Sequence, residues 1–488
     1  MVFPSLSEVK DLAREYRVIP ICSELYADII TPIALLRKLA ARSGKYFLLE
    51  SVEGGERWGR YTFLGFNPAA RVTYRKGEYT LYDEDGTVTA TRTDTPFEML
   101  REFMARYRAP KLPGMPPFTG GLVGYYGYAV AGVSEPSLKL SGGGVNDFDL
   151  MLFDKVIAYD HLRQKLTLID NMKTQDVQSG WDTAMRNISA LKALITDALP
   201  PPEETPQNAP EFTCDADKER FCEMVDTVKS HIVEGDIFQA VLSRRFTCQY
   251  QGSLQNAYRV LRTTNPSPYM VCMSTGELEL MAASPETLVR LQDGKLSTFP
   301  VAGSRPRGKT PAEDEALEKE LLADQKELSE HNMLVDLARN DLGRVSEYGT
   351  VRVSEYKLVH RYSRIMHITS VVESRLKENL DAFDALRALL PAGTLSGAPK
   401  IRAMQIIDKL EGSPRGVYGG AIGYVDFCGD MDTCIAIRMA VKRGNTVTVQ
   451  AGCGIVADSV PETEYEESAH KAEAVIDAIK RAGEVTEL

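Results

Sequence analysis

What most narrows the folds open to this chain is the order of its apolar runs. Strand-like runs, rich in β-branched and aromatic residues, come in neighbouring groups with glycine turns between them. In the N-terminal part, Tyr46–Glu50, Ala70–Tyr74, Tyr79–Tyr82 and Lys155–Tyr159 read as strands. Further on, Ala240–Arg245, Tyr269–Met273, Thr287–Leu291, Val351–Tyr356, Ile365–Val372, Gly420–Asp426, Thr433–Lys442 and Thr446–Ala451 do so too. Helical patterning covers Pro32–Ser43, Pro96–Tyr107, Gly180–Leu199, Asp217–Gly235, Pro311–Arg339, Ala382–Leu390, Ala398–Leu410 and Pro461–Ala482. Parallel strands need a long crossover between them, whereas antiparallel neighbours are joined by turns. The order therefore predicts an α+β fold with antiparallel sheets, not a doubly wound parallel one.

The length of 488 residues allows two or more domains, or one large interlocked one. In the stretch Leu199–Pro210, LPPPEETPQNAP, the prolines remove backbone donors and the polar residues offer little to bury, so it reads as a linker. It divides an N-terminal portion, 1–199, from a C-terminal portion, 211–488, with 200–210 between them. With 57 Lys and Arg against 68 Asp and Glu, the net charge of −11 disfavours nucleic acid and anionic membranes as partners. A small anionic ligand needs only a local basic pocket and stays possible. The start, MVFPSLSEVK, has no apolar signal core, and no run of about 18 apolar residues follows anywhere. The eight cysteines form no C-x-x-C pair, which suits buried free thiols in a reducing compartment. A cytoplasmic location is the expectation.

Two motifs mimic nucleotide sites. Gly303–Thr310, GSRPRGKT, fits the phosphate-loop pattern, yet Pro306 removes a donor in mid-loop. Thr310, Pro311 and Glu313 instead read as the capping box of a helix start. Gly452–Ala457, GCGIVA, fits a dinucleotide fingerprint, but Asp458, Ser459 and Pro461 place the next helix too late for one. Its glycines are expected to let a ligand approach the backbone.

Two carboxylate pairs carry more weight. Glu327 and Glu330 lie on one predicted helix, Glu464 and Glu467 on another. Each pair is spaced i, i+3 and so shares a helix face. Facing helices could offer four oxygen donors to a hard cation such as Mg²⁺. Lys471, one turn beyond Glu467, could balance that charge or hold an anion. Spacing alone fits solvated, glutamate-rich surfaces equally well.

The surrounding segments add a resemblance. GDIFQAVLSRRF (235–246), NPSPYM (265–270), ASPETLVR (283–290), PVAGSRPRG (300–308), KELSEHNMLVDLARNDLGRV (326–345), MHITSVV (366–372), LPAGTLSGAPK (390–400), RGVYGGAIGY (415–424), AIRMA (436–440), QAGCGIVADS (450–459) and EYEESAHKA (464–472) stand in one order. Together they resemble the chorismate-utilising enzymes, and most closely the anthranilate synthase component I branch. The N-terminal part matches more loosely through LLES (48–51), RWGRYTFLG (57–65) and GGLVGYYGY (120–128).

The resemblance implies two large antiparallel β-sheets packed as a sandwich with flanking helices, and an active site in the C-terminal portion. It implies that the carboxylate pairs bind Mg²⁺, Glu330 and Glu467 directly and Glu327 and Glu464 largely through water. It places Tyr418, Arg438 and the backbone at Gly454 on the enolpyruvyl carboxylate of chorismate. Gly393, Thr394 and Gly452 fall around the ring carboxylate and the metal, with Lys471 against the carboxylate cluster. Gln239 stands where water-adding members carry a basic Lys, and Ala302 where aminodeoxychorismate synthases carry a nucleophilic Lys. Both departures favour ammonia as nucleophile and anthranilate with pyruvate as products, as a lyase in the first step of tryptophan biosynthesis. Glu286 is the candidate acid for the departing C4 hydroxyl, and His367 the candidate for moving the C2 proton.

No G-x-C-x-G elbow or H-x-E pair is present, so ammonia would come from free solution or from a glutamine amidotransferase subunit, component II, in a hetero-oligomer. The resemblance also implies feedback inhibition by tryptophan bound at Glu50, Ser51, Asn265, Pro266, Ser267, Tyr269, Met270 and Tyr424. Aminodeoxychorismate synthase, isochorismate or salicylate synthase, and a non-catalytic tryptophan-sensing subunit are the alternatives.

Overall fold

The computed structural model describes residues 2–51, 59–140, 142–200, 209–361 and 365–485. Most of the expected linker, and Arg57 and Trp58 of the RWGRYTFLG segment, lie outside the described residues. Among the described residues the chain forms two antiparallel sheets, of 13 and 12 strands. The α+β expectation with two large antiparallel sheets is met.

Each sheet combines strands from before the linker with strands from after it, six and seven in the first sheet and five and seven in the second. In the first sheet the halves join where Lys45–Glu50 pairs with Tyr269–Thr275. In the second they join where Gly121–Tyr126 pairs with Ala421–Asp426. Glycine allows the close approach at the second seam: a Cβ on Gly121 would stand 2.3 Å from the Val425 carbonyl oxygen of the partner strand.

Three apolar layers hold the sandwich. Phe47, Phe63, Phe118, Met151, Phe153, Val271 and Ile422 from both sheets fill the space between them. Outside the first sheet, helices Pro32–Ala40, Gln255–Thr264 and Pro461–Lys480 bury Leu36, Leu261 and Val475. Outside the second, helices Pro96–Met104 and Ala382–Leu389 bury Leu100 and Leu386. Each such side chain contributes about 1.5–3 kcal/mol when fully buried. No helix among the described residues is long and apolar enough to cross a membrane.

Two expected elements are broken in ways that matter for the site. The helix expected over Pro311–Arg339 is two helices, Pro311–Ala323 and Gln325–Gly343. Asp324 ends one and caps the other, accepting from the amides of Lys326 at 3.0 Å and Glu327 at 3.2 Å. Helical periodicity runs through such a junction because both pieces are rich in helix formers; only the aspartate marks the stop. The strand expected over Thr433–Lys442 is also two, Met431–Ile435 in the second sheet and Met439–Arg443 in the first.

Neither nucleotide-like motif forms its nucleotide fold. Gly303 lies in the strand Val301–Pro306, and Thr310 caps the following helix through the Glu313 amide at 3.2 Å. The reciprocal half of the expected capping box is displaced: the Glu313 carboxylate takes the Lys309 amide at 2.8 Å instead. Gly452 and Gly454 lie inside the strand Thr446–Ile455.

Candidate active site

Two neighbouring strands cross between the sheets together. Glu279–Ser284 pairs with Met439–Arg443 in the first sheet, and Thr287–Gln292 with Met431–Ile435 in the second. The crossing points are Pro285–Glu286 and Ala436–Arg438. Ile435 N donates to Glu286 O at 3.0 Å, Ala283 N to Arg438 O at 3.0 Å, and Ser284 Oγ to Ile435 O at 2.7 Å. Arg438 adopts φ +50°, a conformation that costs a non-glycine residue about 1–3 kcal/mol unless its surroundings hold it. One crossing thus carries the acid Glu286 and the other the guanidinium of Arg438, with the two backbones hydrogen-bonded between them.

Thr394, in the short turn Gly393–Leu395, donates its hydroxyl to Glu286 Oε1 at 3.2 Å. Burial raises the Glu286 carboxyl to about 7, against the lowering effects of Thr394 and of Lys471. Glu286 is therefore a proton donor poised near neutrality. Arg438 is half-buried, and its guanidinium has no hydrogen-bond or ion-pair partner among the described residues. Desolvation lowers its pKa, while Tyr418 and Glu467 oppose that shift and so mark its neighbours. His367, on the strand Ile365–Arg375, donates from Nδ1–H to Gly303 O at 3.3 Å, which sets the Nδ1–H tautomer. Burial and then the Arg438 charge lower its pKa, against the Gly303 contact, so the ring is neutral near pH 7.

The four glutamates stand on helices Gln325–Gly343 and Pro461–Lys480. Loss of solvent raises the Glu330 carboxyl, and the charges of Glu327 and Glu467 add to that, with Lys471 opposing. The residue still keeps an open side to water. Lys471 Nζ bonds Glu467 at 2.5 Å, and Arg305 Nη1 lies 3.5 Å from Glu327. Glu464 is buried beside Cys453, whose thiol donates to the Glu464 carbonyl at 3.4 Å. The glutamates share one electrostatic neighbourhood, yet their oxygens do not close to metal-ligand spacing. Among the described residues the tight trio of such groups is His231, Glu234 and Asp236, where Arg402 bonds Asp236 at 2.6 Å.

Gly452 and Gly454 lie on the strand Thr446–Ile455. Its partner Met439–Arg443 reaches only to Val449, so 450–455 keeps one edge without a strand. The protein itself fills the space that side chains at these glycines would need. A Cβ at Gly452 would meet Leu242 O at 2.2 Å, and one at Gly454 would meet Gln239 Nε2 at 2.5 Å. Gln239 is buried and its Oε1 has no partner. Burial pushes the Cys453 thiol well up, which keeps it un-ionised.

The residues expected to hold tryptophan divide. Glu50, Ser51, Tyr269, Met270 and Tyr424 line a cavity of about 270 Å³ at the seam between the N- and C-terminal strands. Asn265, Pro266 and Ser267 precede it in the chain and do not line it. The Glu50 oxygens are already engaged by the Tyr258 hydroxyl at 2.6 Å and Arg262 Nη2 at 3.1 Å. Arg60, Phe63, Arg290 and Asp432 also line the cavity and were not foreseen.

Two further groups escaped the sequence reading. His331 is fully buried, bonds Ser370 Oγ at 2.7 Å, and has its imidazole pushed down to about 4 by burial. Glu411 and Arg415 form a buried bidentate pair through Nε at 2.9 Å and Nη2 at 2.6 Å. Gly412 and Pro414 between them hide the i, i+4 relation, because no helix continues across them.

Comparisons with known proteins agree with this geometry. A family described as chorismate binding enzyme matches residues 44–477, and the chain belongs to that family. Within it the chain groups with the anthranilate synthase component 1 proteins. It is 44% identical over 495 residues to that protein of Acetivibrio thermocellus, covering 99% of this chain and all of the relative. It is 43% identical to that of Aquifex aeolicus, covering 99% of both. The crystal structure of anthranilate synthase component I from Streptococcus pneumoniae superposes with a TM-score of 0.76 at 34% identity, over 93% of this chain and 99% of that one. The menaquinone-specific isochorismate synthase of Escherichia coli shares the fold at TM-score 0.69 and 20% identity, over 97% of this chain and 98% of that one.

Proposed function

We propose that this chain is the synthase subunit of an anthranilate synthase, converting chorismate and ammonia to anthranilate and pyruvate in the first step of tryptophan synthesis. The observation that carries this reading is the half-buried Arg438 guanidinium without a protein partner, beside Tyr418 and within reach of Glu467's field. An uncompensated cation in such a place is costly, and an anionic ligand offsets the cost. Chorismate has two carboxylates, and a forked guanidinium suits one of them.

The donor set fits Mg²⁺ in kind: oxygen ligands from two helices, with like charges crowding Glu330. Glu330 and Glu467 would hold the ion directly, Glu327 and Glu464 through water. When bound, Mg²⁺ stabilises negative charge developing at the ring carboxylate. The chain's own groups handle the protons. Glu286 protonates the C4 hydroxyl as ammonia adds at C2. His367, neutral near pH 7, takes the C2 proton as pyruvate leaves. Gln239 offers no base to activate water, and Ala302 no amine to attack the ring, which favours anthranilate over the isochorismate and aminodeoxychorismate readings.

The buried, un-ionised Cys453 is no glutaminase nucleophile, so glutamine serves through a separate amidotransferase subunit. Tryptophan inhibits from the cavity at Glu50, Ser51 and Tyr424. The strand Thr287–Gln292 follows Glu286 directly and brings Arg290 to that cavity, and the Tyr269 hydroxyl bonds Thr287 Oγ1 at 2.9 Å. Chromatography of products from chorismate, Mg²⁺ and ammonium tests the reading. Anthranilate with one equivalent of pyruvate supports it; isochorismate or aminodeoxychorismate overturns it.

A further inference from the structure

Arg415 and Glu411 are enclosed, with side-chain exposures of 2% and 4%. We propose that Arg415, held by Glu411, is a positioning residue that sets three substrate-facing segments relative to one another. The proposal rests on the chorismate reading above.

Beyond its ion pair with Glu411, the guanidinium bonds two segments that carry proposed site residues. Nη1 donates to Leu395 O at 2.6 Å, the residue after Thr394. Nη2 donates to Val241 O at 2.6 Å, two residues after Gln239. The Cζ atom lies 5.7 Å from the Tyr418 ring centre, with Tyr128 at 4.6 Å as a second aromatic neighbour. Glu411 completes the hub. Its Oε1 also accepts from Ser243 N and Ser243 Oγ, each at 2.7 Å, on the Gln239 strand. Gln450 Nε2 bonds Ser243 Oγ at 2.9 Å and ties in the strand that carries Gly452 and Gly454.

A buried ion pair adds little stability over a well-packed apolar pair. What an apolar pair cannot do is bond two carbonyls and a carboxylate in one plane. The fork therefore fixes the Thr394 turn, the Gln239 strand and the Tyr418 ring at defined separations. Lysine keeps the charge but has no plane.

The test uses the full chain with chorismate, Mg²⁺ and ammonium, in Arg415→Lys, in Glu411→Gln, and in the apolar double variant Arg415→Met with Glu411→Met. The Lys and double variants are expected to raise the chorismate KM tenfold or more. Glu411→Gln, which keeps its acceptor, should change it less. Trimethylamine N-oxide strengthens folding without restoring a fork, so any variant too unstable alone is measured in it. A KM defect that persists at restored stability supports positioning. A defect that disappears with restored stability, or folded variants with wild-type kcat and KM, overturns the proposal. A wild-type chain that makes no anthranilate overturns the chorismate reading itself, which separates the two failures.

Discussion

The Thr394 hydroxyl donates to Glu286 Oε1 across 3.2 Å, joining a turn of the C-terminal portion to the point where two strands pass from one sheet to the other. The bond favours the charged form of Glu286, while burial favours the neutral form and prevails, at about 7. An acid catalyst is lost as pH rises through its pKa. With rates expressed per free ammonia, kcat/KM for chorismate should fall above about pH 7. Thr394→Val removes a lowering contact, so the fall should move to higher pH. A pH–rate profile checks this; an unmoved or lowered limb would contradict it.

Arg438 is expected to show opposite signs in activity and stability. Charge-assisted hydrogen bonds contribute about 1.5–3 kcal/mol, so Arg438→Met should lower kcat/KM for chorismate roughly 10- to 150-fold. Having no protein partner, the guanidinium holds nothing together, and its loss should leave the thermal midpoint unchanged or higher. Steady-state kinetics and calorimetry on one preparation read both.

Chelation should abolish anthranilate formation, and Mg²⁺ should restore it. Glu330→Gln removes a proposed direct ligand, so half-maximal activity should need at least about tenfold more Mg²⁺, the order expected for a lost ligand or its support. Titration of activity against free Mg²⁺ gives the answer. An unchanged requirement would remove Glu330 from the ligand set.

Tryptophan should inhibit the wild-type chain. Ser51→Phe places a ring in the cavity of about 270 Å³ and should abolish inhibition while the uninhibited rate persists. Glu50→Gln should act differently, because Glu50 anchors Arg262 and Tyr258. Weakening a buried charged contact costs about 1–3 kcal/mol, so denaturant unfolding should show reduced stability together with reduced sensitivity.

The antiparallel α+β architecture was legible because strand runs stood side by side without helices between them. The breaks at Asp324 and at Arg438 were not. Each lies inside a continuous propensity pattern, and tertiary pairing decides where the chain turns. Glu286, Thr394, Arg438 and His367 were found through ordered motifs. Their meeting at the sheet crossing depends on pairings such as Ala282 with Met439, far apart in sequence. The Arg415 hub left no local signal, since its partners Leu395, Val241 and Ser243 lie on separate segments. Gly452 and Gly454 were read as ligand access from sequence; that neighbouring protein atoms also leave no room there for a side chain depends on packing.

The central claim is that this chain alone aminates chorismate with ammonia and makes anthranilate. Anthranilate fluorescence tests it most directly, followed from purified chain with chorismate, Mg²⁺ and an ammonium salt. The account predicts a steady rise that stops when either Mg²⁺ or ammonium is withheld, and no rise when glutamine replaces ammonium. Chorismate consumed without anthranilate fluorescence, or fluorescence from glutamine with this chain alone, would contradict it.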